Sequence, residues 1–240
     1  MTKYDSKASL ARLHPSSQPV ARSVMSVALV LALTGCSTAP QTPDWQMEAK
    51  SAMDRAVAAY LRGDDRVETT EVARARRQIA GTGRGDLLAS TELLKCATRV
   101  ASLVFEPCAA FETLRQDATD AQRAYADYLR GQYSEASIPL LPPMQRAAAT
   151  RSAVDASALQ AGADPLSLLV AAGVLLQTGK TSPAVVDQAV ATASAQAWRR
   201  PLLAWLGVQA HSAQIAGRGD DEARIRRRMA MVLGEVPAVK

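Results

Sequence analysis

The segment Cys108–Arg130, CAAFETLRQDATDAQRAYADYLR, carries the clearest periodicity in the chain. Phe111, Leu114, Ala118, Ala121, Tyr125 and Tyr128 follow one another at gaps of 3, 4, 3, 4 and 3, which places six apolar side chains on one stripe of a helix. The expectation is a single helix from Cys108 to Arg130. Around it the chain is rich in Ala, Leu, Arg and Gln, which are strong helix formers. No stretch alternates apolar and polar residues as a half-buried strand would. The fold class read from these patterns is all-α, built of stacked antiparallel helical hairpins.

On the N-terminal side, Pro107 breaks the chain. Before it, Asp86 is placed to cap a helix to Val104 with Leu87, Leu88, Leu94, Val100 and Leu103 inward. Gly81–Gly85 is a turn. An earlier helix runs from Val67 to Ala80, with Val72 and Ile79 inward and Arg74, Arg76 and Arg77 outward. The first runs from a capping Asp44 to Arg62, with Trp45, Ala49, Met53, Val57 and Tyr60 on one face.

On the C-terminal side, Gly131 to Pro143 holds Pro139, Pro142 and Pro143 and marks the boundary between subdomains 44–131 and 144–234. Beyond it, helix starts recur. Pro143 opens a helix to Leu159, Asp164-Pro165 one to Gln177, Ser182-Pro183 one to Trp198 and Pro201 one to Ala216, while Asp220 caps the last, to Leu233. A capping residue followed by proline in the first turn is a physically motivated start signal.

The leader has a different composition. Lys3, Lys7, Arg12 and Arg22 face a single acid, Asp5, in the first 22 residues; Ser23–Leu33 then runs eleven residues without a charge. A basic region, a short apolar run and a small-residue exit are the layout of an export signal. The run is too short to span a bilayer, which takes about 20 residues. Leu33-Thr34-Gly35-Cys36 follows, and it resembles the lipobox of bacterial lipoproteins. The resemblance implies removal of residues 1–35, lipidation of Cys36 and a short tether to residue 43. Two or three acyl chains, at about 0.8 kcal/mol per buried methylene, would give a stable anchor. In that family an Asp after the cysteine favours the inner membrane. Here the residue is Ser37, so the resemblance points to the outer membrane, with the body facing the periplasm.

Processing would also change the charge. The whole chain has 28 basic and 23 acidic residues, net +5. Without residues 1–35 the counts fall to 24 and 22, net +2. The basic pI therefore owes much to the leader, and nucleic acid is not an expected partner of an exported protein.

Two echoes suggest a repeat. Tyr60-Leu61-Arg62-Gly63 returns as Tyr128-Leu129-Arg130-Gly131, offset by 68, and Ile79-Ala80-Gly81 as Ile215-Ala216-Gly217, offset by 136. Both are multiples of 34, the tetratricopeptide period. The body thus weakly resembles a divergent tetratricopeptide-like solenoid, although no window reproduces that family's Trp, Leu-Gly and Tyr spacing. An irregular helical bundle is the other reading.

With Cys36 acylated, Cys96 and Cys108 are the remaining thiols, and an even pair in an oxidising compartment favours a disulfide. Cys96 would lie about 12 Å back along a helix reaching Val104, whereas a bridge tolerates only about 4.4 to 6.8 Å between Cα atoms. Bonding therefore requires the helix to end early or the chain to fold back; two buried core cysteines are the other reading.

Catalytic residues, metal ligands and cofactor motifs are not evident. The lone histidine after the leader, His211, falls inside a helix with no Gly-x-Ser-x-Gly elbow to accompany it. Glu106, in a break between helices, is the one carboxylate placed like an acid catalyst. Gly179-Lys180-Thr181 follows a helix instead of opening one, so it is not a phosphate loop. Arg84-Gly85-Asp86 and Arg218-Gly219-Asp220 read as helix starts. Arg224, Arg226, Arg227 and Arg228 form a basic strip on the last helix, the candidate contact for an anionic lipid or acidic partner, opposite an expected buried side of Ile225, Met229, Val232 and Leu233. The function expected is a non-enzymatic outer-membrane lipoprotein that acts as a helical scaffold or adaptor for another cell-envelope protein. A peptidoglycan-acting enzyme and a structural peptidoglycan-binding lipoprotein are the alternatives.

Overall fold

The structure, a computed structural model, describes residues 42–150, 159 and 164–235. The leader, Cys36 and its tether to residue 41 lie outside the described residues. Those described form α1 (Asp44–Arg62), α2 (Asp65–Ala80), α3 (Gly85–Ala101), α4 (Ala109–Glu112), α5 (Asp120–Leu129), a 3-10 segment (Glu135–Leu140), α6 (Pro143–Ala149), α7 (Pro165–Gln177), α8 (Pro183–Ala195), α9 (Arg199–Ile215) and α10 (Gly219–Leu233). No strand occurs among them, so the all-α expectation holds.

Local chemistry accounts for the helix ends. Asp164 accepts from the Ser167 N–H at 2.8 Å and Ser182 from the Val185 N–H at 3.4 Å, each ahead of a proline in the first turn. α1 stops at Gly63, whose φ of 93° is left-handed and costs a glycine little. Three acids expected as caps lie instead inside their helices: Asp44, Asp86 and Asp220 all stand in the first turn, after Pro43, Arg84 and Arg218. There they complement the helix dipole rather than close the end.

The expected helix from Cys108 to Arg130 is divided. α4 is a single turn, residues 113–118 bend, and α5 begins after Thr119. The reason is a capping box in Thr119-Asp120-Ala121-Gln122. The Gln122 N–H donates to the Thr119 hydroxyl at 3.3 Å, and the Thr119 N–H donates to the Gln122 side chain at 2.8 Å. The guanidinium of Arg123 then donates to the carbonyl of Ala118, holding the bend. The apolar stripe largely survives: Phe111, Ala118 and Tyr128 are buried, Leu114 and Tyr125 half-buried, and Ala121 exposed.

α3 also ends sooner than expected, at Ala101, and Leu103 reverses the chain at a φ of 59°. Its buried side is Ala89, Leu93, Ala97, Val100 and Ala101, while Leu87, Leu88 and Leu94 are half-buried. α6 ends at Ala149; the rest of the helix expected to reach Leu159 falls mostly outside the described residues.

One apolar core runs from Ala89 to Leu206 and draws on both sides of the 131–143 connection. α7 is its axis, buried continuously from Leu168 to Leu175, as a helix apolar all round must be. Fully burying a large aliphatic side chain such as Leu169 or Leu175 contributes roughly 1.5–3 kcal/mol. Trp205 of α9 is fully buried, and its indole N–H donates to the carbonyl of Ala101 at 3.1 Å. That bond satisfies a carbonyl left without a helical partner where α3 stops.

A polar clamp ties α1 and α2 to α3 and α9. The ring of Tyr60 lies between the guanidinium groups of Arg99 and Arg200, 3.9 and 4.2 Å from its centroid. Arg99 pairs through two nitrogens with the buried carboxylate of Glu68, and Arg200 donates to the Tyr60 carbonyl at 2.9 Å. Between α2 and α3, Arg76 holds the buried Glu92 through two bonds of 2.6 Å. Arg76, expected to face solvent, is therefore turned toward α3, because a buried carboxylate needs a partner.

Candidate functional site

A concave surface feature lies where α8 and α10 flank α9. It is a groove of about 950 Å³. Val186 of α8 and Leu206 and Ala213 of α9 lie in its floor, all buried, and Ile225 and Met231 of α10 add apolar wall. Above that floor stand Arg218, Arg224, Arg227 and Arg228 against two acids, Asp187 and Asp221. Both acids are occupied. Asp221 accepts from Arg224 at 2.9 Å and Arg218 at 3.4 Å, and Asp187 accepts from Gln209 at 2.6 Å.

The basic strip of α10 is thereby sorted by its surroundings. Arg224 is neutralised by Asp221 one turn back, and Arg226 by Glu222 at 2.8 Å on a side away from the groove. Arg228 reaches across to the hydroxyl of Ser194 at 3.0 Å and joins the two walls. Arg227 is exposed and makes no ion pair among the described residues. No residue of α10 is buried: of the side chains expected there, Ile225, Met229 and Val232 are half-buried and pack against the core. Leu233 does not: it is 51 % exposed, at the last residue of α10.

His211, read as an ordinary helix histidine, is exposed and opens onto the groove beside Gln209. Asp187 and Gln209 were not singled out in the sequence, and Arg218 was read only as part of a helix start. One signal could have found part of the set: Asp221, Arg224, Arg228 and Met231 recur at gaps of 3, 4 and 3, a stripe that mixes charge with an apolar residue.

Cys96 and Cys108 form a disulfide with their Cα atoms 5.9 Å apart. The early end of α3 and the reversal at Leu103 bring the chain back, which removes the distance obstacle posed by a longer helix. Glu106, at the tip of that reversal, is exposed. A second hollow of about 350 Å³, between α1, α2 and α3, is lined chiefly by Trp45, Met53, Ile79, Leu87 and Leu94. Among the described residues, no three His, Cys, Asp or Glu side chains stand together as metal ligands would. None of the described helices is long and apolar enough to cross a membrane.

These features define a class: an all-α body of packed helices with an arginine-walled groove formed by α8, α9 and α10. Comparison with known proteins returns no match, since no family, no curated protein and no solved structure is significantly similar to this chain.

Proposed function

We propose that this chain is an outer-membrane lipoprotein, anchored through Cys36 with its body toward the periplasm, that acts as a non-enzymatic helical adaptor for another envelope protein. The groove between α8 and α10 carries the reading. An apolar floor with a surplus of guanidinium groups above it suits recognition of a polypeptide better than chemistry on one. Successive hairpins from α7 to α10, each helix packed on the next, support a divergent tetratricopeptide-like arrangement, in which stacking builds an extended binding surface. The Cys96–Cys108 disulfide agrees with an oxidising compartment.

A photo-crosslinking residue at His211 of the full chain, activated in intact envelopes, tests the adaptor role. The expected product is one adduct of defined mass containing a single envelope protein. Recovery of muropeptides at that position, with turnover, would replace the adaptor by a peptidoglycan enzyme. The anchor has a separate test: Cys36→Ala is expected to lose both acyl labelling and cleavage of the leader, and normal processing of that variant would refute it.

A further inference from the structure

We infer that the groove between α8 and α10 seats an acidic amphipathic helix of the partner protein. This rests on the adaptor reading and names the chemistry of what is bound. Charge is the first argument. The four arginines of the groove exceed its two acids, and those acids already have partners, Asp221 in Arg218 and Arg224 and Asp187 in Gln209. Among the described residues Arg227 has no carboxylate partner and Arg228 has only a hydroxyl, and a guanidinium presents its donors in a fork that fits a carboxylate.

Shape is the second argument. From Arg218 to Met231 the α10 wall extends about 20 Å at 1.5 Å per residue. That is the length of three to four helical turns rather than of a lipid headgroup. Along it, Ile225 and the 58 %-exposed Met231 offer apolar surface beside the buried Val186 and Leu206. A helix with apolar residues at i, i+3/i+4 and i+7 fills such a trough while its flanking acids reach the arginines. The partner's apolar stripe thus lies on Ile225 and Met231, and its carboxylates meet Arg227 and Arg228.

The test is a fluorescence-anisotropy titration of the full chain with a labelled synthetic peptide of about four helical turns. The peptide carries Leu on one face and Glu on the other. Controls are the same peptide with Lys for Glu, an acidic peptide of scrambled order, and vesicles of phosphatidylglycerol and phosphatidylethanolamine. The acidic amphipathic peptide should bind, and added salt should weaken it. Arg227→Glu with Arg228→Glu should weaken binding at least about tenfold, as should Met231→Asp; each removes a contact of the order of 1.4 kcal/mol or more. Arg226→Glu changes net charge but lies off the groove and should leave binding unchanged, with circular dichroism confirming that every variant is folded. Equal binding of the Lys or scrambled peptide, equal losses from Arg226→Glu, or binding to vesicles alone would each overturn the inference. A His211 adduct with an envelope protein, combined with no binding of the acidic peptide, would overturn this partner chemistry and leave the adaptor reading standing; loss of both would overturn both.

Discussion

Gly173 faces the backbone of α3 closely enough that hydrogen is its only tolerable substituent. A Cβ there would stand 2.5 Å from the carbonyl oxygen of Val100 and 3.0 Å from its Cγ1. Alanine would improve helix propensity by up to about 1 kcal/mol, but a backbone carbonyl cannot rotate aside. Overpacking of about 1–3 kcal/mol outweighs that gain. Gly173→Ala should therefore lower the urea midpoint, and an unchanged or higher midpoint would show that α3 and α7 can separate freely. Tyr128 makes a second residue-scale case. Burial, together with the neighbouring Tyr125 and Tyr133 phenols, pushes its phenol well above the ordinary value near 10. The unfolded chain then loses the proton first as pH rises. The associated stability is whole below about pH 10 and drains above it. Its hydroxyl has no hydrogen-bond partner among the described residues, so Tyr128→Phe should cost little at neutral pH and flatten the alkaline decline. Denaturant midpoints measured across that range read both effects.

At the scale of elements, the joints between helices are ionic as well as apolar. Glu68 on α2 is 5 % exposed and is held by Arg99 of α3, which also covers Tyr60 of α1. Glu68→Leu would leave the Arg99 guanidinium with a buried side and no counter-charge, a loss of about 3 kcal/mol. Adding Arg99→Met should recover much of it, since two apolar groups can replace a buried pair. A double-mutant cycle by urea denaturation checks this, and simple additivity would mean that the pair does not couple. Helix content was readable at this scale because start and stop signals are local: α7 begins at its Asp164 cap and Pro165, and α1 ends at Gly63. The division between α4 and α5 shows the limit. Its capping box was written in Thr119 and Gln122, but the apolar stripe on both sides kept one unbroken phase and masked the bend. Glu68, Glu92 and Arg76 illustrate a different limit, because a charge on a helix does not disclose whether a partner waits on the next one.

Across the whole molecule, the Cys96–Cys108 disulfide closes a loop of 12 residues around the reversal that follows α3. Closing a loop of that size stabilises by about 3 kcal/mol through the unfolded chain. The variant carrying both Cys96→Ser and Cys108→Ser should unfold at a lower urea concentration than the oxidised protein and match it once reductant is present. Equal midpoints without reductant would mean that the bridge contributes nothing. Sequence alone carries the all-α class, the order of most helices and the basic character of α10, because propensity, caps and periodicity act within a few residues. The groove, the sorting of Arg224 and Arg226 into neutralised residues and Arg227 and Arg228 into available ones, and the meeting of Cys96 with Cys108 arise from packing. Each depends on which helices lie side by side, and that follows from the burial of α7 and Trp205 in one core rather than from any local pattern.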